Sequence, residues 1–116
     1  MVPFRVSATQ SSGKSAGIGR NDFLNGLLVR SVRFHDGKLA DQIRRAASSI
    51  PLNLGEGSRR RGKDRKHHYR IASGSAEEVR CAIRVALAWQ YLPAKTTDTV
   101  LAQIDELQRI LWRLGE

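Results

Sequence analysis

Apolar residues recur at helical spacing along most of the chain and predict three amphipathic helices after a weaker first one. They fall three or four residues apart, which places them on one face of each helix and the polar residues on the other. The weaker pattern covers residues 21–34 and contains Gly26, which lowers helix stability by about 1 kcal/mol relative to Ala. The stronger stripes are Leu39, Ile43, Ala46, Ile50 and Leu54; Tyr69, Ala72, Ala76, Val79, Ile83 and Ala86; and Val100, Ile104, Leu107, Leu111 and Leu114.

Glycine, proline and polar residues predict where these helices bend and end. Pro51 lies inside the second pattern and lacks a backbone donor, so we expect a kink there. Gly55 or Gly57 is expected to end that helix by supplying a left-handed residue. The third helix is expected to cover residues 62–91. The sequence KTTDT then offers N-cap residues for a fourth helix that ends near residue 114.

The first twenty residues differ from the rest of the chain. Residues 1–20 are rich in Ser, Gly and Thr and show no sustained period, so we expect a flexible N-terminal tail. Residues 21–116 are expected to form one all-α domain, an antiparallel up-and-down four-helix bundle with a weak or divergent first helix. Within the tail, ATQSSGKS fits a relaxed phosphate-loop pattern, but it lacks the strand before it and the helix after it that such loops require. Nucleotide hydrolysis would rest on this fragment alone.

Composition and charge narrow the class of protein. A chain of 116 residues suits a single domain, and its one cysteine, Cys81, allows no internal disulfide. No stretch is long and apolar enough for a signal peptide or a membrane helix. We therefore expect a soluble protein of the reducing cytoplasm, with Cys81 as a small buried residue. The net charge of +9 favours polyanionic partners.

Two-thirds of this charge lies in one segment, RRRGKDRKHHYR at residues 59–70, which we call the basic run. It contains seven Lys or Arg and one Asp, a balance of 7 − 1 = +6. Lys and Arg neutralise phosphates and release condensed counterions, which makes such binding strongly dependent on salt. The alternative is a solvated helix start that keeps the protein soluble. The candidate nucleic-acid-binding residues are Arg44, Arg59, Arg60, Arg61, Lys63, Arg65, Lys66 and Arg70.

Other polar residues near the turn between the second and third helices are interpreted as structural. They do not include a nucleophile, a base and an orienting group as a set. We therefore expect a polar lock, in which these side chains hydrogen-bond to the unpaired backbone groups at the helix ends and the acids pair with Arg45 or Arg70. His67 and His68 are adjacent and diverge by about 100° on a helix, which prevents them from chelating one metal. No catalytic residue, metal or cofactor is therefore expected. The predicted polar lock consists of Arg45, Asn53, Glu56, Ser75 and Glu78.

Two segments around the basic run carry residue types at fixed spacing. They read as Q-x-R-R-A-x-x-S-I-P-x-N-L-G-E-G and R-x-A-x-G-S-x-x-E, from Gln42 to Gly57 and from Arg70 to Glu78. This pattern resembles a family of bacterial four-helix-bundle proteins over roughly residues 38–92. The family includes proteins encoded by intervening sequences in large-subunit ribosomal RNA genes and the accessory variability determinant proteins of diversity-generating retroelements. Residues 1–35 do not resemble the family's first helix.

The resemblance implies a ring-like homopentamer with a basic surface and, in the retroelement branch, binding to nucleic acid and to a reverse transcriptase. Together with the charge, it favours a non-enzymatic oligomeric nucleic-acid-binding adaptor, RNA rather than DNA, that contacts phosphates through the basic run. The alternative is a protein-interaction scaffold that docks a partner enzyme such as a reverse transcriptase. Outward apolar residues such as Leu52 or Trp112 would then support assembly. The wide apolar arc of the third helix, which includes Ile71, Ala82 and Trp89, indicates either a central helix or a subunit contact.

Overall fold

The structure, a computed structural model, describes residues 26–116 and contains four α-helices in this part of the chain. The predicted tail, the phosphate-loop-like segment and the start of the predicted first helix lie outside the described residues. Between residues 26 and 116 there is no strand, so the predicted all-α class is confirmed, and the arrangement agrees with a four-helix bundle. The helices are α1 (Leu27–His35), α2 (Gly37–Ser58), α3 (Gly62–Ala88) and α4 (Ala94–Leu114).

The core consists of most residues of the predicted stripes and one face of α1, together with Ala40, Ala47, Ala82 and Leu92. Members from the middle of each stripe, such as Ile43, Val79 and Ile104, are buried, because three or four residues bring a helix round to the same face. Burial decreases toward the chain end, where Leu114 is 43% exposed. The buried apolar residues of α1 are Leu28, Val29 and Val32. None of the described helices has the length and hydropathy needed to cross a membrane.

Helices α2 and α3 run antiparallel. The Ser75 hydroxyl donates a 2.8 Å hydrogen bond to the Ser49 hydroxyl, and Gln42 Nε2 donates to Glu78 at 3.4 Å, so the numbering rises along one helix as it falls along the other. The long α2–α3 pair therefore places the α2 C-terminus beside the α3 N-terminus. The basic run begins between these two ends, at Arg59.

Gly57 sets how closely these two helices approach. The prediction that Gly55 or Gly57 ends α2 is wrong, because α2 runs unbroken through Pro51 and ends at Ser58. A Cβ atom at Gly57 would lie only 2.8 Å from Tyr69 Cε1, so the absence of a side chain lets the Tyr69 ring pack directly on the α2 backbone. The left-handed glycine lies further along the chain: Gly62, with φ of 57°, begins α3.

Three further predictions about helix ends and burial are corrected. Helix α3 ends at Ala88, three residues early, and Gln90 takes a positive φ of 63° just after it. The N-cap position of α4 is Pro93 rather than a residue of KTTDT, because Thr97 lies one turn inside the helix and donates its hydroxyl to the Pro93 carbonyl at 2.9 Å. Cys81 is exposed rather than buried, since it lies on the outer face of α3.

Glu77 joins α3 to α4 through a set of hydrogen bonds. Arg80, one turn along α3, donates to both carboxylate oxygens at 3.0 and 3.2 Å, and Gln108 of α4 donates to Oε1 at 3.0 Å. The donors stabilise the charged form of the carboxylate. The hydrogen bonds from Arg80, then Gln108 and Cys81, hold the pKa of Glu77 at about 2, below its usual 4.5.

The low pKa of Glu77 predicts a loss of stability in acid. Because the folded pKa lies below the unfolded one, the stabilisation is complete above pH 4.5 and is lost as the pH falls toward about 2. A carbon NMR titration of the Glu77 carboxylate should give a midpoint near 2. The melting temperature of Glu77→Gln should change less than that of the wild type over the same interval. A carboxylate midpoint near 4.5 would contradict the hydrogen-bonded arrangement.

Candidate nucleic-acid interface

The basic run begins in the turn between α2 and α3 and continues along the first turns of α3. Only three residues, Arg59 to Arg61, separate the helices. Arg59 is close to helical, with φ of −91°, whereas Arg61 is extended, with φ of −134° and ψ of 155°. The backbone therefore reverses over a few residues and brings the start of α3 back along the end of α2. Seven cationic side chains are concentrated at this end of the helix pair.

Arg60 is neutralised within the turn. Its guanidinium donates to Glu56 Oε2 at 2.7 and 3.1 Å and to Asp64 Oδ2 at 2.8 Å, so it lies between carboxylates on both neighbouring helices. The hydrogen bonds from Arg60 lower the pKa of Glu56 and of Asp64, and the same bonds raise the pKa of Arg60. These three residues form a network that closes the turn, and Arg60 is less available to an added anion.

Arg65 and Lys66 also have partners in the fold. Arg65 donates to the main-chain carbonyls of Gly57 and Ser58 at the end of α2, both at 3.3 Å, and to that of Arg60 in the turn at 2.8 Å. The last carbonyls of a helix have no partners inside it, so Arg65 acts as a side-chain cap of α2. Lys66 donates to the main-chain oxygen of Glu116, which joins the start of α3 to the end of the chain after α4.

Four cations of the basic run are exposed, and their side chains form no hydrogen bond or ion pair with residues 26–116; we call them the free cations. Each of these four side chains is exposed and can meet an added anion without breaking a contact of the fold, while Arg65 and Lys66 add their charge to the positive potential of the turn. Arg44 also lacks a partner within the same residues, but it lies fifteen residues before Arg59, about 22 Å along α2. The structure therefore does not bring Arg44 to the turn. The free cations are Arg59, Arg61, Lys63 and Arg70.

The predicted polar lock is divided between two places. Asn53 donates to the Ser49 carbonyl at 2.9 Å and to its hydroxyl at 3.0 Å, and the Ser49 hydroxyl accepts from Ser75. His68 Nδ1 donates to Asn53 Oδ1 at 3.1 Å, because an amide oxygen can only accept. Asn53 and Ser75 therefore belong to one chain of hydrogen bonds across the α2–α3 contact.

The three charged members of the predicted lock lie apart from this chain. Glu56 pairs with Arg60, Glu78 accepts from Gln42, and the Arg45 side chain makes no hydrogen bond with residues 26–116. The expected pairing of the acids with Arg45 or Arg70 is absent from the described residues. Within residues 26–116 neither serine of the hydrogen-bonded chain contacts a histidine or a carboxylate: Ser75 donates to Ser49, and Ser49 accepts from Asn53 and Ser75. Within residues 26–116 there is also no group of three or more His, Cys, Asp or Glu that could hold a metal.

Comparison with known families identifies the chain. Residues 28–113 match the sequence model of one family, described as 23S rRNA-intervening sequence protein, from the second residue of α1 to the next-to-last residue of α4. The chain belongs to the family of 23S rRNA-intervening sequence proteins. This match confirms the ribosomal RNA half of the resemblance. Neither the curated proteins nor the solved structures gave a match to the chain.

Two residues in or near the basic run of this 23S rRNA-intervening sequence protein were missed as site candidates. His68 was considered as a metal ligand and rejected, yet it closes the hydrogen-bonded chain at Asn53. Trp112 was considered only as an outward apolar residue, yet it lies beside Arg70 at the end of α4, where both residues line one cavity. The antiparallel order of α3 and α4 was the signal that could have placed Trp112 there.

Proposed function

We propose that this protein is a non-enzymatic, oligomeric RNA-binding adaptor that contacts phosphates through the free cations of the basic run. The observation that carries the proposal is that four cations at one tight turn, Arg59, Arg61, Lys63 and Arg70, are exposed without partners in the described part of the chain. Family membership adds an association with ribosomal RNA genes, which favours RNA over DNA. The free, exposed Cys81 suits a reducing compartment such as the cytoplasm.

A homopentamer would multiply this interface. Several residues of α3 outside its core stripe, spaced three or four residues apart, form an outward face that is largely small or apolar and that is exposed, although Glu78 within it accepts a hydrogen bond from Gln42 of α2. Such a face suits contact with a second copy, and a ring would present one basic turn per protomer to the same RNA. Linked contacts of this kind raise overall affinity without any new contact. The face consists of Ile71, Gly74, Glu78, Cys81, Val85 and Trp89.

The salt dependence of RNA binding tests the proposal. Each phosphate contact with a single strand contributes about −0.7 to the slope of log K against log salt, so four free cations predict a slope of about −3 per protomer. Fluorescence anisotropy of a labelled RNA, measured between about 50 and 300 mM KCl, gives that slope. A flat slope, or no binding at low salt, would contradict the proposal. Gel filtration with light scattering on the same samples gives the number of protomers.

The alternative proposal is a protein-interaction scaffold whose charge is incidental. The outward face of α3 and the exposed Leu52 of α2 favour it, because apolar surface of this kind is typical of protein contacts. A partner enzyme such as a reverse transcriptase comes from the retroelement half of the resemblance, which no comparison supports. A protein that forms a stable assembly but shows no salt-dependent RNA binding would favour the scaffold over the adaptor.

A further inference from the structure

An aromatic side chain stands next to the basic run at the end of α4. Trp112 is 68% exposed, although large aromatic rings usually bury most of their surface. It lies beside the core residue Leu111 in sequence, so the helical turn of about 100° carries its indole away from the core. A single exposed tryptophan is common on protein surfaces and needs no explanation. Trp112 differs in that a cavity and a free cation lie next to it, as described below.

Trp112 forms one wall of a cavity of about 370 Å³ between α3 and α4. Leu111, which is almost fully buried, also lines the cavity and makes part of it apolar. Arg70 and Ser73 of α3 supply polar groups at the opposite wall. A cavity of this size is near the lower end of the range for small-molecule sites, about 300–1,000 Å³, and a few polar groups on an apolar pocket are typical of such sites.

Arg70 links this cavity to the basic run. Its Cγ lies 3.4 Å from the position of a Cβ atom at Gly115, so the stem of Arg70 crosses the end of α4 close to the backbone. Arg70 is also one of the free cations. Trp112 also borders a second hollow of about 480 Å³, which is lined by Arg113 and by Arg109, the latter paired with Glu106. Each hollow beside Trp112 therefore contains at least one unpaired cation of the described residues, Arg70 in the first and Arg113 in the second, and one acid, Glu116 or Asp105.

We propose that Trp112 and Arg70 form a pocket for an unpaired RNA base, which stacks on the indole while Arg70 contacts an adjacent phosphate. Aromatic rings next to a cationic groove are the usual arrangement for single-stranded nucleic acid, because every base has a face that can stack. A base inside a duplex cannot reach such a pocket without leaving its stack. The inference rests on the proposed RNA binding and adds that the preferred RNA is single-stranded.

The test compares a short oligoadenylate with an RNA duplex of equal length, using the full chain. Trp112→Ala should weaken oligoadenylate binding about tenfold, since stacking contributes to each bound base, and should leave duplex binding unchanged. Phe34→Ala is the matched control: Phe34 is 85% exposed but lies on α1, away from the basic run, so its loss should change neither affinity. The chain has two tryptophans, so the Trp112 signal is obtained by difference: oligoadenylate should quench the fluorescence of the wild type but not that of Trp112→Ala, which retains only Trp89.

The outcomes separate this inference from the proposed function. If Trp112→Ala binds oligoadenylate as tightly as the wild type, or weakens both RNAs equally, the base pocket is wrong while phosphate binding stands. If Trp112→Ala instead changes the mass found by light scattering, the indole belongs to a protein contact and the inference is also wrong. If the wild type shows no salt-dependent binding to either RNA, the proposed function itself is wrong.

Discussion

Replacing the free cations by glutamine is expected to lower RNA affinity about 10²-fold at 150 mM salt, because four phosphate contacts and their released counterions are lost together. The variant carries Arg59→Gln, Arg61→Gln, Lys63→Gln and Arg70→Gln, and the slope of log K against log salt should fall close to zero. All four side chains are exposed and have no partner within residues 26–116, so the melting temperature should stay within a few degrees of the wild type.

A second variant with the same net charge separates a local site from general attraction. Four exposed cations away from the turn also lack partners within residues 26–116, and replacing them by glutamine changes the net charge equally, from +9 to 9 − 4 = +5. The proposal predicts that this variant keeps most of the wild-type affinity. Equal losses in both variants would mean that RNA responds to the total charge and not to the turn. The control substitutions are Arg30→Gln, Lys38→Gln, Arg84→Gln and Lys95→Gln.

Some cations of the basic run are paired within the fold and others are free, and the sequence could predict only part of this difference. The charge count predicted a basic turn, and i,i+4 spacing alone could have predicted that Arg60 pairs with Glu56 and Asp64. It could not predict that Arg65 caps α2, because that contact depends on how the chain reverses at Arg61. The structure therefore reduces the candidate set from eight residues, the seven cations of the basic run and Arg44, to the four free cations.

For the fold as well, features set by local sequence could be predicted, and features set by contacts between helices could not. Period alone predicted most of the buried residues of α2, α3 and α4, because a helix repeats its faces whatever lies against it, but it placed Leu114 in the core and missed Ala40, Ala47 and Thr97. The end of α2 was predicted too early because a glycine near the end of a helix was interpreted as a stop signal. A glycine can also be required inside a helix, where a neighbouring side chain leaves no room for a Cβ atom. At Gly57 the requirement comes from Tyr69, twelve residues further along the chain, and intrinsic propensity carries no information about that contact.

Because of this contact, alanine is expected to have opposite effects on stability at Gly55 and at Gly57. Both glycines lie within α2, where alanine favours the helix by about 1 kcal/mol. Gly55→Ala should therefore stabilise the protein by up to about 1 kcal/mol, because a Cβ atom there meets nothing within 4 Å. Gly57→Ala gains the same propensity, but its Cβ atom would lie 2.8 Å from Tyr69 Cε1 and 3.1 Å from His68 Cβ. Such overpacking costs about 1–3 kcal/mol, so the substitution should be neutral to destabilising.

The difference between the two variants isolates the packing cost, since the propensity gain is common to both. In chemical denaturation it should be about 1–3 kcal/mol, equivalent to at least 4 °C in melting temperature for a domain of this size. Combining Gly57→Ala with Tyr69→Leu removes the ring atom that the new methyl group meets, so alanine at position 57 should then cost less than it does with tyrosine present. If Gly57→Ala instead stabilises the protein as much as Gly55→Ala, α3 does not pack on α2 at this distance. The turn that presents the free cations would then have a different geometry.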